Sequence, residues 1–223
     1  MILAAGRGER MRPLTDRLPK ALLPVGGKPL IAWHLEKLAA AGFTRIVINH
    51  AHLGSLIEAA LGSGERYGVA IQYSPEIEAH ETAGGIAYAL RLLGTAPFAV
   101  VNADVFSDFD YRQLAIAVDA IAAGGRFAHL VLVNNPEHNP AGDFALHEGG
   151  VQSDGTRLTF SGIAAYSPAM FAAIAPGAKA KLATLLREHI ARQQVSGEFF
   201  GGRWRDIGTP ARLAALDAEL NAR

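Results

Sequence analysis

The sequence contains no cysteine, no surplus of charge of either sign and no long apolar run. Without cysteine, disulfide scaffolds, thiolate nucleophiles and cysteine-ligated zinc sites are excluded. Lysine plus arginine and aspartate plus glutamate both number 21, so the chain lacks the basic surplus that is typical of nucleic-acid binders. No apolar stretch reaches the roughly 18–20 residues of a membrane helix, and no signal-peptide pattern opens the chain. We therefore expect a cytoplasmic protein that binds neither nucleic acid nor membrane.

The apolar half of the composition suffices for a substantial core: 50% of the 223 residues are hydrophobic and 19% are charged. Short apolar runs alternate with longer helical patterns, which predicts an α/β fold with a Rossmann-like, mostly parallel sheet and helices on both faces. In such sheets ligands bind at the carboxyl ends of the strands. The loops after Ala4 and after Ala103 are therefore the first places to look for a site.

The hydrophobic pattern also predicts where the elements lie. Strands are expected over residues 1–4, 45–49, 69–73 and 98–103, and helices over residues 29–41, 53–61, 84–93, 112–123 and 210–220, with Thr209 as the cap of the last helix. Shorter strands are expected over residues 129–133, 143–147, 157–160 and 162–166. These shorter strands predict a small β-rich lobe in the second half of the chain.

The most informative stretch runs from Leu3 to Lys20 and reads LAAGRGERMRPLTDRLPK, with five basic against two acidic side chains. A glycine-rich turn directly after a strand presents backbone N–H groups to an anion. Gly6 and Gly8 lack a Cβ, so phosphates can approach the chain closely. A basic surface loop is the alternative interpretation. The fixed offsets of Pro13 and Thr15 favour a triphosphate-binding loop.

Two familiar nucleotide motifs do not fit this chain. A dinucleotide fingerprint requires a third glycine where Met11 stands, and a P-loop requires serine or threonine where Pro29 follows Lys28. His50 and His52 could place two imidazoles together, but no third metal ligand is indicated, so a loop or pocket-wall role is favoured. A nucleophile elbow is also missing around Ser161.

The motifs together resemble those of the sugar-1-phosphate nucleotidylyltransferase family along nearly the whole chain. The matching segments are LAAGRGERMRPLT and Pro19-Lys20, and then ETAGG at 81–85, VNAD at 101–104, GDF at 142–144, TFSGI at 159–163 and WRDIGT at 204–209. The short length and the segments at 48–50 and 142–144 are most similar to family members that take UTP in peptidoglycan (cell-wall) recycling. The resemblance implies a single domain over residues 1–223, with a nucleotide-binding part at about 1–125 and a sugar-binding and closing part at about 126–223.

This resemblance implies a magnesium-dependent uridylyl transfer from UTP to a sugar 1-phosphate, by a monomer or small homo-oligomer. The alternatives are transfer from dTTP, GTP or CTP to glucose or mannose 1-phosphate, a phosphocholine cytidylyltransferase, and a catalytically silent nucleotide-sugar sensor. In-line attack on phosphorus needs positioning and charge neutralisation more than covalent help. Arg10 is expected to hold the β and γ phosphates, and Lys20 to bridge the α-phosphate and the sugar phosphate.

The resemblance also implies the remaining site residues. The nucleotide is expected to contact Leu3, Ala4, Ala5, Gly6, Arg7 and Gly8, and then Gln72, Glu76, Thr82 and Gly84. The sugar is expected to contact Asn102, Asp143, Ser161 and Gly162. Asp104 and Asp206 are the expected Mg²⁺ ligands, since carboxylates with phosphate oxygens make a hard oxygen site. Taken alone, each of these two aspartates could also be a turn residue, Thr82 an ordinary helix cap, and Asp143 a solvated turn residue.

Overall fold

The computed structural model describes residues 1–222, which form two compact units that are interleaved along the chain. The first unit comprises residues 1–79, 102–111 and 203–222, and the second comprises residues 80–101 and 112–202. The strands are β1 (Ile2–Leu3), β2 (Pro24–Val25), β3 (Lys28–Pro29), β4 (Arg45–His50), β5 (Ala70–Pro75), β6 (Phe98–Asn102), β7 (Val105–Ser107), β8 (Ala128–Val133), β9 (Phe144–His147), β10 (Gly150–Gln152), β11 (Arg157–Tyr166), β12 (Val195–Phe199) and β13 (Trp204–Asp206). The helices are α1 (Leu30–Ala40), α2 (Gly54–Leu61), α3 (Glu81–Leu93), α4 (Arg112–Ala122), α5 (Leu182–Ala191) and α6 (Pro210–Asn221).

The first unit is built on parallel strands in the order β5–β4–β1. Ile2 pairs with Ile48, and Arg45 pairs with Ala70. Parallel strands need crossover connections, and α1 and α2 follow β3 and β4 along the chain as such connections. Two small antiparallel pairs complete the unit, β2 with β3 and β7 with β13. The β7–β13 pair brings two segments together that are far apart in sequence.

One apolar core cluster in the first unit anchors the segments that carry the predicted site. Its buried members are Met11, Leu23, Val25, Leu30, Phe106, Ile207, Leu213 and Leu216. Met11 lies directly after Arg10, and Ile207 lies directly after Asp206. Because both apolar side chains are fully buried, their polar neighbours are fixed by the burial of large hydrophobic surface.

The second unit contains a mixed sheet in the order β6–β11–β8–β12–β10–β9, in which β12 and β8 are parallel. Strand β11 is antiparallel to β6, β8 and β9, and its register shifts between Phe160 and Ala164. Helix α4 packs on β11 and β8, and α5 packs on β10 and β12. The shift in β11 lies in the segment that carries two of the predicted sugar contacts, Ser161 and Gly162.

The α/β class is confirmed, and several element boundaries differ from the predicted ones. The strands predicted over 157–160 and 162–166 form the single strand β11, because a bulge carries the chain across Ser161 and Gly162. Helix α3 begins at Glu81 rather than Gly84, since Ala83 and Gly84 N–H groups donate to the Ala180 carbonyl. Thr209 does cap α6, where its side chain accepts from the Arg212 N–H.

Two further points concern the predicted layout of the chain. Pro29 does not begin helix α1, because it pairs with Pro24 in the β2–β3 hairpin and the helix starts one residue later. The division at about residue 125 stays a prediction. Among residues 1–222, no helix combines the length and apolar character that crossing a membrane demands.

Candidate active site

The glycine-rich loop after β1 is held in shape by its own chain. Gly8 has a positive φ of 63°, and a Cβ there would lie 2.9 Å from the Thr15 methyl group. The buried Thr15 hydroxyl donates to the Gly8 carbonyl at 2.8 Å, and the Met11 N–H donates to the same carbonyl at 2.8 Å. Glycine is therefore required at position 8 for backbone reasons. Thr15, which the sequence singled out only by its fixed offset in the motif, stabilises the conformation of the loop.

The start of the loop is tied to the neighbouring strand by a buried polar network. The Ala4 N–H donates to Asn49 Oδ1 at 3.0 Å, and Asn49 Nδ2 donates to Glu76 Oε1 at 2.7 Å. Glu76 is buried and accepts this bond from Asn49, and its expected contact with the nucleotide stays a prediction. Gln72, on strand β5, is exposed. Asn49 was not among the predicted site residues, although it is a polar residue near the carboxyl end of a buried strand, where ligand-site residues are common.

A cavity of about 410 Å³ opens against this loop, and all of its lining residues belong to the first unit. They are Gly6, Arg7, Gly8, Glu9, Arg10, Met11, Lys20, Asp104 and Gly208. The Arg7 and Arg10 residues are exposed. The structure thus brings the predicted Arg10, Lys20 and Asp104 to one cavity, with the loop backbone beside them.

Lys20 is paired with the predicted metal ligand Asp104. Lys20 Nζ lies 2.6 Å from Asp104 Oδ2, and the two side chains are 11% and 37% exposed. A charge-assisted hydrogen bond of this length fixes both groups. Because an ammonium carries three donors, Lys20 can keep this bond while it also contacts phosphate oxygens.

Asp206 is brought next to Asp104 by the pairing of β7 and β13. Asp206 pairs with Val105, and the Ile207 N–H donates to the Asp104 carbonyl at 2.9 Å. Asp206 Oδ2 accepts a 2.6 Å hydrogen bond from Arg212 Nη1. A Cβ added to Gly208 would lie 3.1 Å from that carboxylate oxygen and 3.4 Å from Arg10 Nη2. Arg212 was not among the predicted site residues, although its place on the first turn of α6 follows from the Thr209 cap.

The two aspartates form a donor set that suits Mg²⁺ and suits zinc poorly. Among residues 1–222, no group of three or more histidine, cysteine or acidic side chains could hold a metal on its own. Mg²⁺ typically binds through one or two carboxylates together with substrate phosphates and water. Asp104 and Asp206 supply the two carboxylates, so these residues fit a Mg²⁺ ion that arrives with a triphosphate.

The predicted residues Thr82 and Gly84 lie at the start of α3 in the second unit. The Ala83 and Gly84 N–H groups donate to the Ala180 carbonyl, and a Cβ on Gly84 would clash with the Ala178 carbonyl. These two N–H groups are therefore bonded within the fold, and the nucleotide contact expected of Thr82 and Gly84 stays a prediction. No side chain caps this helix, so the cap interpretation of Thr82 is wrong.

Two of the four predicted sugar contacts, Asp143 and Ser161, bond backbone groups of the second unit. Asp143 is half-buried; its Oδ2 accepts from the Phe160 N–H at 2.8 Å. The Ser161 hydroxyl is buried and donates to the Val131 carbonyl at 2.7 Å. Gly162 has a φ of 78° beside the bulge in β11. Asn102 is half-buried at the end of β6.

His50, the last residue of β4, and His52, which follows the strand, are both engaged within the first unit. His50 Nε2 lies 2.7 Å from Glu58 Oε1, and the ring packs so closely on α2 that a Cβ at Gly54 would collide with it. His52 Nε2 lies 3.4 Å from the carbonyl oxygen of Thr15, next to the glycine-rich loop. His52 lies in a turn, as the sequence favoured, whereas His50 belongs to a strand, and neither residue lines the cavity beside the glycine-rich loop.

Comparison with known proteins relates the chain to one family over its whole length. The profile described as Nucleotidyl transferase matches residues 1–223. A relative from Neisseria meningitidis serogroup B, named N-acetylmuramate alpha-1-phosphate uridylyltransferase, is 55% identical over 227 residues, which span 100% of this chain and 98% of the relative. A relative of the same name from Caulobacter vibrioides is 35% identical, with 99% and 96% of the two chains covered.

A solved structure is similar in fold. The structure of UDP-glucose pyrophosphorylase complexed with UDP-glucose has a TM-score of 0.78 at 21% identity, and the match covers 100% of this chain and 98% of that chain. At this identity the likeness shows the fold alone.

Proposed function

The chain belongs to the nucleotidyl transferase family, and we propose that it transfers a uridylyl group from UTP to N-acetylmuramate 1-phosphate, giving UDP-N-acetylmuramate and pyrophosphate. The observation that carries this proposal is the 55% identity, over the whole chain, to a relative named for that activity. The arrangement of cations and carboxylates around one cavity supports the reaction type. A role in peptidoglycan recycling and a cytoplasmic location belong to the same proposal.

The glycine-rich loop and its cations bind the triphosphate in this proposal. Backbone from Leu3 to Gly8 lies beside the nucleotide, and Arg10 holds the β and γ phosphates. The exposure of Arg10 at the cavity supports this role, because a guanidinium binds phosphate oxygens with two parallel donors. Arg7 lines the same cavity and adds positive charge.

Lys20 neutralises the reacting groups. An oxygen of the sugar phosphate attacks the α-phosphorus in line, a new P–O bond forms, and the bond from the α-phosphorus to the bridging oxygen breaks as pyrophosphate leaves. This step needs alignment and electrostatic stabilisation of the transition state. Lys20 contacts the α-phosphate and the sugar phosphate together, and its bond to Asp104 holds the ammonium in place.

Asp104 and Asp206 hold the metal in this proposal. When bound, Mg²⁺ would neutralise triphosphate charge and align the phosphates. Arg212 orients the Asp206 carboxylate through its 2.6 Å hydrogen bond. The Ile207 N–H fixes the backbone of Asp104.

Base and sugar recognition involve the remaining predicted residues. Gln72 is exposed and is proposed to contact the base directly, whereas Glu76 acts through Asn49. Thr82 and Gly84, at the start of α3, are also proposed to contact the nucleotide. Sugar contacts are proposed for Asn102, Asp143, Ser161 and Gly162. Since the Ser161 hydroxyl is bound to backbone, a contact at this point would come from the main chain.

A panel of substrates tests the proposal. UTP, dTTP, GTP and CTP are each combined with N-acetylmuramate, glucose and mannose 1-phosphates, and with phosphocholine, and the nucleotide-linked products are separated by chromatography and mass spectrometry. We expect the highest kcat/KM for UTP with N-acetylmuramate 1-phosphate. Turnover only with glucose or mannose 1-phosphate would contradict the proposed substrate. Binding of UTP without turnover of any pair would indicate a nucleotide-sugar sensor.

A further inference from the structure

A buried histidine on α1 bonds the strand that follows Asp104 and is not among the residues that line the cavity. His34 in α1 is 2% exposed. Its Nε2 lies 2.7 Å from the carbonyl oxygen of Val105, and its Nδ1 lies 2.7 Å from the Tyr111 hydroxyl. Tyr111 is also 2% exposed, and the two rings are nearly parallel. Both ring nitrogens of His34 are therefore engaged in the core of the first unit.

The two partners fix the proton on His34. A carbonyl oxygen only accepts, so Nε2 carries the hydrogen and donates to Val105. Nδ1 then has a lone pair and accepts from the Tyr111 hydroxyl. Burial lowers the pKa of His34 to about 4, which keeps the imidazole neutral at physiological pH. The contacts thus select one tautomer and one ring orientation.

The carbonyl that His34 binds belongs to the residue after Asp104. The Asp104 carbonyl accepts from the Ile207 N–H at 2.9 Å, and the next carbonyl, that of Val105, accepts from His34. Val105 pairs with Asp206 across β7 and β13. The backbone of Asp104 and Val105 is therefore hydrogen-bonded to the Ile207 N–H, directly after β13, and to His34 of α1.

A second residue of the same helix binds the same strand. Lys37, three residues after His34, donates from Nζ to the Ser107 carbonyl. Because residues three apart share one helix face, the same face of α1 hydrogen-bonds β7 at Val105 and at Ser107. Burial of Lys37 lowers its pKa from the usual value, a sign that this contact is partly withdrawn from water.

We propose that His34, held by Tyr111, is a positioning residue that fixes β7 so that the carboxylates of Asp104 and Asp206 are presented together to a divalent cation. Groups that do not touch a metal but orient its ligands commonly contribute to its affinity. This inference rests on the proposed function, because it assumes that the two aspartates bind the metal of the nucleotide.

Two substitutions of His34 separate its two hydrogen bonds. Glutamine places an amide N–H near the position of Nε2 and can keep the bond to Val105, whereas asparagine places its amide near Nδ1 and loses that bond. Mn²⁺ is titrated into the full chain with UTP and without any sugar phosphate, so no turnover occurs, and the EPR signal of free Mn²⁺ gives the Kd. We expect His34→Asn to raise this Kd on the order of tenfold and His34→Gln to stay near wild type.

Two more variants complete the design. Tyr111→Phe removes only the hydroxyl that holds His34, and we expect a smaller rise in Kd. His189→Asn is the matched control, because His189 is also buried and bonds Gln194 in the second unit. It is expected to bind Mn²⁺ as wild type does. If His34→Asn does not fold, Tyr111→Phe provides the test: a raised Kd for Mn²⁺ supports the positioning role of His34, and a wild-type Kd overturns it.

The outcomes distinguish this inference from the proposed function. A wild-type Kd in folded His34→Asn, or an equal rise in His34→Asn and His34→Gln, would overturn the positioning role and leave the proposed function intact. Failure of the wild-type chain to bind Mn²⁺ with UTP would overturn the proposed metal site, and the positioning role with it.

Discussion

Lys20 Nζ and Asp104 Oδ2 lie 2.6 Å apart although 84 residues separate them in the sequence. The pair places a cation and a carboxylate in the same cavity before any substrate binds. In the proposed reaction, mutual neutralisation keeps both groups ordered, so that little reorganisation is needed when phosphate and metal bind. Lys20 can thus serve the reaction without first being positioned by the substrate.

Replacing Lys20 by alanine should therefore slow the chemical step. We expect Lys20→Ala to lower kcat on the order of 100-fold or more, because a preorganised charge on the transferring phosphoryl group is lost. Steady-state kinetics with UTP and N-acetylmuramate 1-phosphate measure this, and a thermal melt checks the fold. Lys28→Ala is the control, since Lys28 pairs with Glu36 at the surface. Unchanged kcat in Lys20→Ala would contradict the proposed role.

Metal dependence tests the aspartate pair. We expect EDTA to abolish turnover and Mg²⁺ to restore it. Asp206→Asn removes one anionic ligand but keeps an oxygen for Arg212, so the Mg²⁺ concentration for half-maximal turnover should rise about tenfold or more. Asp108→Asn is the matched control, because Asp108 follows the other end of β7 and accepts from the Arg203 N–H. Identical Mg²⁺ curves for Asp206→Asn and wild type would refute the assignment.

The side chains of Arg10, Arg212 and Asp206 all lie close to Gly208. A Cβ there would lie 2.9 Å from Arg212 Nη1, 3.1 Å from Asp206 Oδ2 and 3.4 Å from Arg10 Nη2. We expect Gly208→Ala to lower kcat on the order of 100-fold, since displacements of about 1 Å in a site can cost that much. The fold should survive because the crowded atoms are the ends of side chains.

The control for this substitution is Gly150→Ala. Position 150 has one neighbour near an added Cβ, the His147 carbonyl at 3.4 Å. Its kinetics should match those of wild type. Equal activity of Gly208→Ala and Gly150→Ala would show that the spacing around Asp206 is not needed for turnover.

The sequence was informative where function depends on local chain chemistry. Asp104 follows a buried apolar strand, and the glycines and basic residues of the loop are contiguous, so both could be predicted as neighbours of one site. The Thr209 cap was predictable because a cap is a local interaction. These signals lie within a few residues of one another.

Residues that act across long sequence distances were not predictable in this way. Asn49 supports Ala4 only because β4 lies beside β1. Arg212 orients Asp206 only after α6 has folded back along β13. The bond from Asn49 to Glu76 was not predicted either, because the two residues lie 27 positions apart in the sequence and meet only in the folded sheet. From a single sequence one cannot tell which polar side chains will be buried together and hydrogen-bonded in the folded protein.

The buried neutral His34 makes stability depend on pH. Its pKa is lowered from 6.5 to about 4 mainly by burial, so between these values the unfolded chain binds a proton at this side chain that the native chain does not. Above pH 6.5 the titration of His34 leaves the free energy of unfolding unchanged. As the pH falls toward 4, this titration lowers the free energy of unfolding by about 3 kcal/mol. Urea denaturation at pH values across this window measures the free energy of unfolding. His34→Gln cannot titrate, so its stability should fall less steeply with acid than that of wild type, and parallel curves for the two proteins would contradict a buried, neutral His34.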